Sequence, residues 1–215
     1  MSWLQRIRGS ASDEDAPEGE GAAATSAVER KSPGLALLFE GLSADGRHAI
    51  LDLGPASRTR LRLLGRYGRQ IRFAGLVPPT TTSSDLGAAV ASIPENPDQP
   101  YDVVLAWDIF DHLAEAEREA VVRRMDEVTS PDARLYTVVS AGGSVAVRHM
   151  RIDLLDVDRV SQEPVGPPEP ARPELLPAQV EKLLAPFQVV RGISLRVGMR
   201  EYVARKRLAP TGRTP

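Results

Sequence analysis

The sequence predicts an α/β fold, a mostly parallel sheet with helices on both faces that ends in a C-terminal antiparallel β-hairpin. Three observations carry this. Apolar runs at residues 49–53, 71–77, 101–107 and 134–140 alternate with helical patterns, as strands covered on both faces do. The first two runs and the helix between them span about 30 residues, the size of a βαβ unit with its right-handed crossover. Finally, residues 187–197 and 200–207 are joined by a tight turn at Gly198, so these two strands must run antiparallel.

In chain order, residues 1–9 put Trp3, Leu4 and Ile7 on one side of a short helical turn beside Arg6 and Arg8. That segment is too short to hold a helix alone, and it reads either as a frayed terminus or as a contact for a partner or an anionic membrane surface. Residues 10–27 are rich in Ala, Gly, Ser and acid, which predicts a flexible tether. Pro33 opens a short helix with Leu35, Leu38, Phe39 and Leu42 at helical spacing, expected to cap the sheet edge or the site mouth.

The first strand follows at 49–53, then a helix whose apolar side is read as Leu61 and Leu64. Gly65 and Gly68 break the pattern before the second strand, expected at 71–77 and ended by Pro78-Pro79. Asp85 is placed to cap a short Ala-rich helix through Ile93. The third strand, 101–107, ends at Trp107 with Asp108 beyond it. A charged helix at 114–128 turns Val121, Val122, Met125 and Val128 inward, and Ser130-Pro131-Asp132 precedes the strand at 134–140.

Residues 145–163 alternate loosely, as an extra hairpin does, and six prolines between Pro164 and Pro177 predict a long extended connection to a helix at 178–184. The expected organisation is a tail at 1–32 with an amphipathic start, one domain at 33–208 carrying an insertion at 145–177, and a disordered tail at 209–215. A length of 215 residues, 42% hydrophobic, suits one core.

Absence of cysteine removes disulfides and thiolate chemistry, which suits a cytoplasmic protein. His48, His112 and His149 show no metal-ligand spacing, so no metal is expected. No apolar run approaches the roughly 20 residues that span a bilayer. The net charge of −2 hides an asymmetry: Asp13, Glu14, Asp15, Glu18 and Glu20 crowd the tail, while residues 53–84 hold six arginines and no acid.

The candidate site is the turn after the first strand. Asp52 and Gly54 end that strand, Pro55, Ala56 and Ser57 make the turn, and a helix begins, so backbone N–H groups converge where a small polar or anionic ligand can sit.

Taken together, the alternating elements, Leu51-Asp52-Leu53-Gly54, the run DVVLAWDIFDHL and the terminal hairpin GISLRVG to REYVARK resemble the class I S-adenosylmethionine-dependent methyltransferases over about residues 35–206. The resemblance implies a Rossmann-like methyltransferase fold and S-adenosylmethionine as cofactor. It also implies a cofactor-binding set of Asp52, Gly54, Ala56, Ser57, Asp85 and Trp107, with Asp108 near the acceptor and His112 as a base. As alternatives, Asp108 reads as a helix N-cap, His112 as a packing residue and Asp52 as a brace for its loop.

Two departures define a degenerate version of the motif. Ala56 and Arg58 stand where the family's loop has its second and third glycines, although Arg58 can swing outward from a helix start. Leu76, Val77 and Pro78, at the expected end of the second strand, offer no side-chain acceptor for the ribose hydroxyls, leaving Asp85 as the substitute.

Two functions follow. One is a methyltransferase of unknown acceptor; the alternative is a non-catalytic pseudoenzyme subunit that binds a protein partner in a larger assembly. The contact would be Trp3, Leu4 and Ile7 or the arginine face of Arg58, Arg62, Arg66 and Arg69, which otherwise reads as a solvated face. Aromatics make up only 5% of the chain, which speaks against nucleic acid as the partner.

Overall fold

The computed structural model describes residues 27–76, 90–91, 93–96, 99–141, 147–169, 175–196 and 198–207. The strands are β1 (Val28–Lys31), β2 (His48–Asp52), β3 (Gly68–Phe73), β4 (Tyr101–Trp107), β5 (Thr129–Ser140), β6 (Val147–Asp156), β7 (Arg159–Glu169), β8 (Phe187–Leu195) and β9 (Met199–Lys206). The helices are α1 (Pro33–Phe39), α2 (Arg58–Leu64), α3 (Glu115–Val128) and α4 (Pro177–Leu183), with a 3-10 turn at Ile109–His112.

The main sheet has the order β3-β2-β4-β5-β9-β8. Its first four strands are parallel, β9 runs antiparallel to β5, and β8 pairs antiparallel with β9, as the hairpin predicted. One face buries Val121, Val122, Met125 and Val128 of α3 and Val180 of α4 against Leu51, Val104 and Phe187. The other buries Leu35, Leu38 and Phe39 of α1 and Leu63 and Leu64 of α2 against Ile50, Val103 and Tyr136. A second sheet, β1-β7-β6, lies on that face and adds Ile152, Leu154 and Val160 to the same cluster.

Local chemistry explains the ends. Ser32 caps α1 by accepting from the Leu35 N–H, with Pro33 just inside. Glu117 reaches back to accept from the Ala114 N–H at 2.7 Å and starts α3.

Several boundaries differ from the sequence reading. The second strand runs 68–73 rather than 71–77: Gly68 enters the sheet opposite His48, and the chain leaves it at Gly75, whose φ is +63°. The segment Ser130-Pro131-Asp132 belongs to β5, where Asp132 at φ +65° takes up a register shift between Tyr101 and Val103. Val28–Lys31, read with the tail, pair with β7.

Pro164, Pro167 and Pro168 lie in β7 rather than in a connection. Among the described residues β1 pairs with β7 only as far as Gln162, and the β6–β7 register shifts between Val165 and Glu169, so Pro167 and Pro168 fall at an irregularity of the ladder. On α2 the apolar side is Leu63 and Leu64, while Leu61 is 54% exposed.

Candidate functional site

Parallel pairing of β2 with β4 brings Asp52 opposite Leu105, so the Asp52 carboxylate and the end of β4 share one edge. The β2 turn is braced from within: the Gly54 N–H donates to Asp52 Oδ1 at 2.8 Å. Trp107 has the left-handed φ of +50°, sparsely populated for a bulky residue, and Thr137 Oγ1 holds its carbonyl at 2.7 Å. In that conformation its indole N–H donates to Asp52 Oδ1 at 2.6 Å.

A third group meets the same oxygen. Arg60, 3% exposed, points back from the first turn of α2 and places Nη1 3.3 Å from Asp52 Oδ1. Its guanidinium lies 4.3 Å from the centroid of the Trp107 ring, a cation–π contact. Nη1 also donates to the Pro55 carbonyl at 3.2 Å, and Nη2 donates to the Ile152 carbonyl. Asp153 stands 3.9 Å from Arg60 Nε and accepts from Ser57 Oγ at 2.6 Å. Thus strand β6 is fastened over the turn by Ser57 and Arg60 together.

Asp52 is fully buried, and burial pushes its carboxyl up from the usual range, against the Arg60 guanidinium, the Trp107 N–H and the Gly54 N–H, which pull it down. A Cβ on Gly54 would collide with the Arg60 side chain and stand 3.0 Å from Trp107 Cδ1, so the turn has room for glycine alone while Arg60 is in place.

Beyond Trp107, the 3-10 turn carries Asp108, Asp111 and His112. Asp108 opens the turn with no side-chain cap bond, and His112 Nε2 lies 3.5 Å from its Oδ2. Asp111 accepts from the Ser140 N–H at 2.8 Å and from its hydroxyl at 2.9 Å. Burial pushes the Asp111 carboxyl up to about 6, opposed by the Ser140 bonds.

Of the residues singled out in the sequence, Asp52, Gly54 and Trp107 converge on one point, and Asp108 and His112 follow directly in the chain. Ser57 caps α2 and is engaged by Asp153, whereas Ala56 faces outward. Arg58 and Arg62 are exposed on α2, but the helix ends at Leu64, so Arg66 lies beyond it and Arg69 in β3, and the four arginines do not share one helix face. Asp85, Trp3, Leu4 and Ile7 lie outside the described residues, as do Val77 and Pro78; with β3 ending at Phe73, Ala74 and Gly75 take the position next to the strand end. Among the described residues no cluster of His, Asp and Glu could hold a metal, and no helix is long and apolar enough to cross a membrane.

Arg60 is the residue the sequence reading missed. Positions 60, 63, 64 and 67 follow the i, i+3, i+4, i+7 pattern of one helix face, and Leu63, Leu64 and Tyr67 fill it. An arginine in such a stripe eight residues after an acid is the available signal.

No family model matches this sequence, and no curated protein does. Solved structures do match. A protein classed as a type 11 methyltransferase from Sulfolobus solfataricus is 14% identical, with a TM-score of 0.50 over 85% of this chain and 96% of that one. The Burkholderia thailandensis 1,6-didemethyltoxoflavin-N1-methyltransferase, solved with S-adenosylhomocysteine, is 18% identical, with a TM-score of 0.49 over 82% of this chain and 77% of that one. The N-methyltransferase NodS from Bradyrhizobium japonicum is 10% identical, with a TM-score of 0.47 over 82% and 96%. Strand order, the antiparallel β9 and this likeness give the chain the Rossmann-like fold of the class I S-adenosylmethionine-dependent methyltransferases.

Proposed function

We propose that the chain is an S-adenosylmethionine-dependent methyltransferase acting on an unidentified acceptor. One observation carries the reading: at the end of β2, a buried carboxylate and an indole face together hold a cation, with Asp52 Oδ1 3.3 Å and the Trp107 ring 4.3 Å from the Arg60 guanidinium. The methionine end of S-adenosylmethionine bears an ammonium and a sulfonium, cations of the size such a site accepts. The fold shared with the Sulfolobus protein supports the same reaction class.

In this reading the cofactor, once bound, supplies an electrophilic methyl group. Asp52 and Trp107 would hold its positive end, and the Gly54 backbone would let it approach closely. Asp108 and His112, 3.5 Å apart, would orient the acceptor and take its proton at His112. The ribose is less well served, because neither Ala74 nor Gly75 has a side-chain acceptor.

A second reading, a non-catalytic subunit of a larger assembly, is favoured by the same Arg60, which fills the cation position with the chain's own side chain. Calorimetric titration with S-adenosylmethionine separates the two. The methyltransferase reading expects saturable binding below millimolar ligand. Absence of heat at millimolar cofactor, for the native chain and for R60A alike, would leave the non-catalytic reading.

A further inference from the structure

We infer that Arg60 and strand β6 form a gate on the candidate cofactor site: the Arg60 guanidinium occupies the cation position between Asp52 and Trp107, and ligand enters only when Arg60 withdraws and β6 lifts from α2. The inference rests on the methyltransferase reading and adds a regulation of that same site.

The gate is a set of contacts that close one another. Arg60 is held from the cradle side by Asp52 Oδ1 at 3.3 Å, the Pro55 carbonyl at 3.2 Å and the Trp107 ring at 4.3 Å. From above it is held by the Ile152 carbonyl and by Asp153 at 3.9 Å. Two consecutive residues of β6 therefore touch the side chain that blocks the site. Strand β6 is fastened independently by Ser57 Oγ, which donates to Asp153 Oδ1 at 2.6 Å, and by Ile152, which is 3% exposed in the cluster with Leu63 and Leu64.

Removing Arg60 without a replacement would leave Asp52, fully buried, facing no cation. A cationic ligand and Arg60 are thus competitors for one carboxylate. Withdrawal of Arg60 in turn strips Ile152 of its donor and Asp153 of its nearest cation, so displacement by ligand at the cradle loosens β6. By linkage, whatever holds β6 down weakens cofactor binding by the same factor.

The absence of cysteine allows a direct test. In the full chain, the S57C/D153C double variant can be oxidised to pin β6 to the turn and reduced to free it, with S-adenosylhomocysteine as the titrated ligand. Binding is measured by calorimetry in both redox states and in R60A, and circular dichroism checks that each variant is folded. The gate expects R60A to bind at least tenfold tighter than the native chain. It also expects the oxidised double variant to bind at least tenfold more weakly than its own reduced form.

Equal affinity of R60A and the native chain, together with no effect of oxidation, overturns the gate and leaves the methyltransferase reading standing. No binding by any variant at millimolar ligand overturns both. If R60A does not fold, the comparison of oxidised and reduced forms decides alone.

Discussion

The guanidinium of Arg60 stacks 4.3 Å from the centroid of the Trp107 ring, and both side chains donate to the same oxygen of Asp52, at 3.3 and 2.6 Å respectively. With the Gly54 N–H also on Oδ1, one carboxylate ties together the end of β2, the end of β4 and the start of α2. The strained φ of Trp107 is what brings the indole into this arrangement.

Breaking that pair from one side is expected to be costly. R60M leaves the buried Asp52 carboxylate without its cation, which typically costs about 3–5 kcal/mol. D52N in the same chain removes the stranded charge, so R60M/D52N should be more stable than R60M. Urea unfolding of the two single variants and the double variant checks this, and additive losses would contradict the coupling.

A second buried acid organises the antiparallel part of the sheet, two strands beyond β4. Glu201 on β9, fully buried, accepts from Arg30 at 2.9 Å, Ser32 Oγ at 2.6 Å, the Gly34 N–H at 2.7 Å and the Tyr136 hydroxyl at 3.0 Å. It therefore fastens β1 and the start of α1 to the main sheet. E201A should destabilise the chain by about 3 kcal/mol or more, since the partly buried Arg30 loses the carboxylate it pairs with. In hydrogen exchange, amides of β1 and α1 should lose protection first, while those of β4 and β5 stay protected. Uniform loss across the sheet would contradict the clamp.

The order of elements was legible because it rests on local signals. Largely apolar strands such as Tyr101–Trp107, inward valines on α3 and the Gly198 turn each carry their own pattern, and all appear in the structure. Boundaries that depend on pairing were not legible. Gly68 looks like a breaker until β2 supplies a partner, and Pro164 looks like a linker residue until β1 is seen to stop short of it.

At the site, Asp52, Gly54 and Trp107 were readable from a resemblance, because motif position depends on sequence order. Arg60 was not, because its meaning comes from burial between α2 and a strand 92 positions away. Likewise Glu201, inside an ordinary β-strand pattern, gave no sign that four donors would meet it.

Gly34 shows the same dependence on packing. A Cβ there would stand 2.8 Å from Glu201 Oε2, 3.0 Å from Glu201 Cβ and 3.1 Å from Tyr136 Cε2. Glycine is normally a weak helix residue, so an exposed Gly→Ala in α1 would be expected to stabilise. Here G34A should instead destabilise by about 1–3 kcal/mol through overpacking. Thermal unfolding of G34A gives the sign, and a raised Tm would contradict the close approach.

Asp111 makes the stability of the chain depend on pH. Burial raises its carboxyl in the folded chain to about 6 from the ordinary 3.8 of an exposed aspartate, so the folded state binds more protons than the unfolded state between those values. The resulting stability is fully present below about 3.8 and is lost as pH rises through about 6. At 1.36 kcal/mol per unit, the integrated effect is about 3 kcal/mol. D111N keeps an oxygen to accept from Ser140 but carries no charge. Its stability relative to the native chain should therefore rise between pH 4 and pH 6 and level off above, by an amount of order 3 kcal/mol. Denaturant unfolding of both proteins across about pH 4 to 8 checks it. A stability difference between the two that is independent of pH would mean that Asp111 titrates as an exposed carboxyl does, despite its Ser140 bonds.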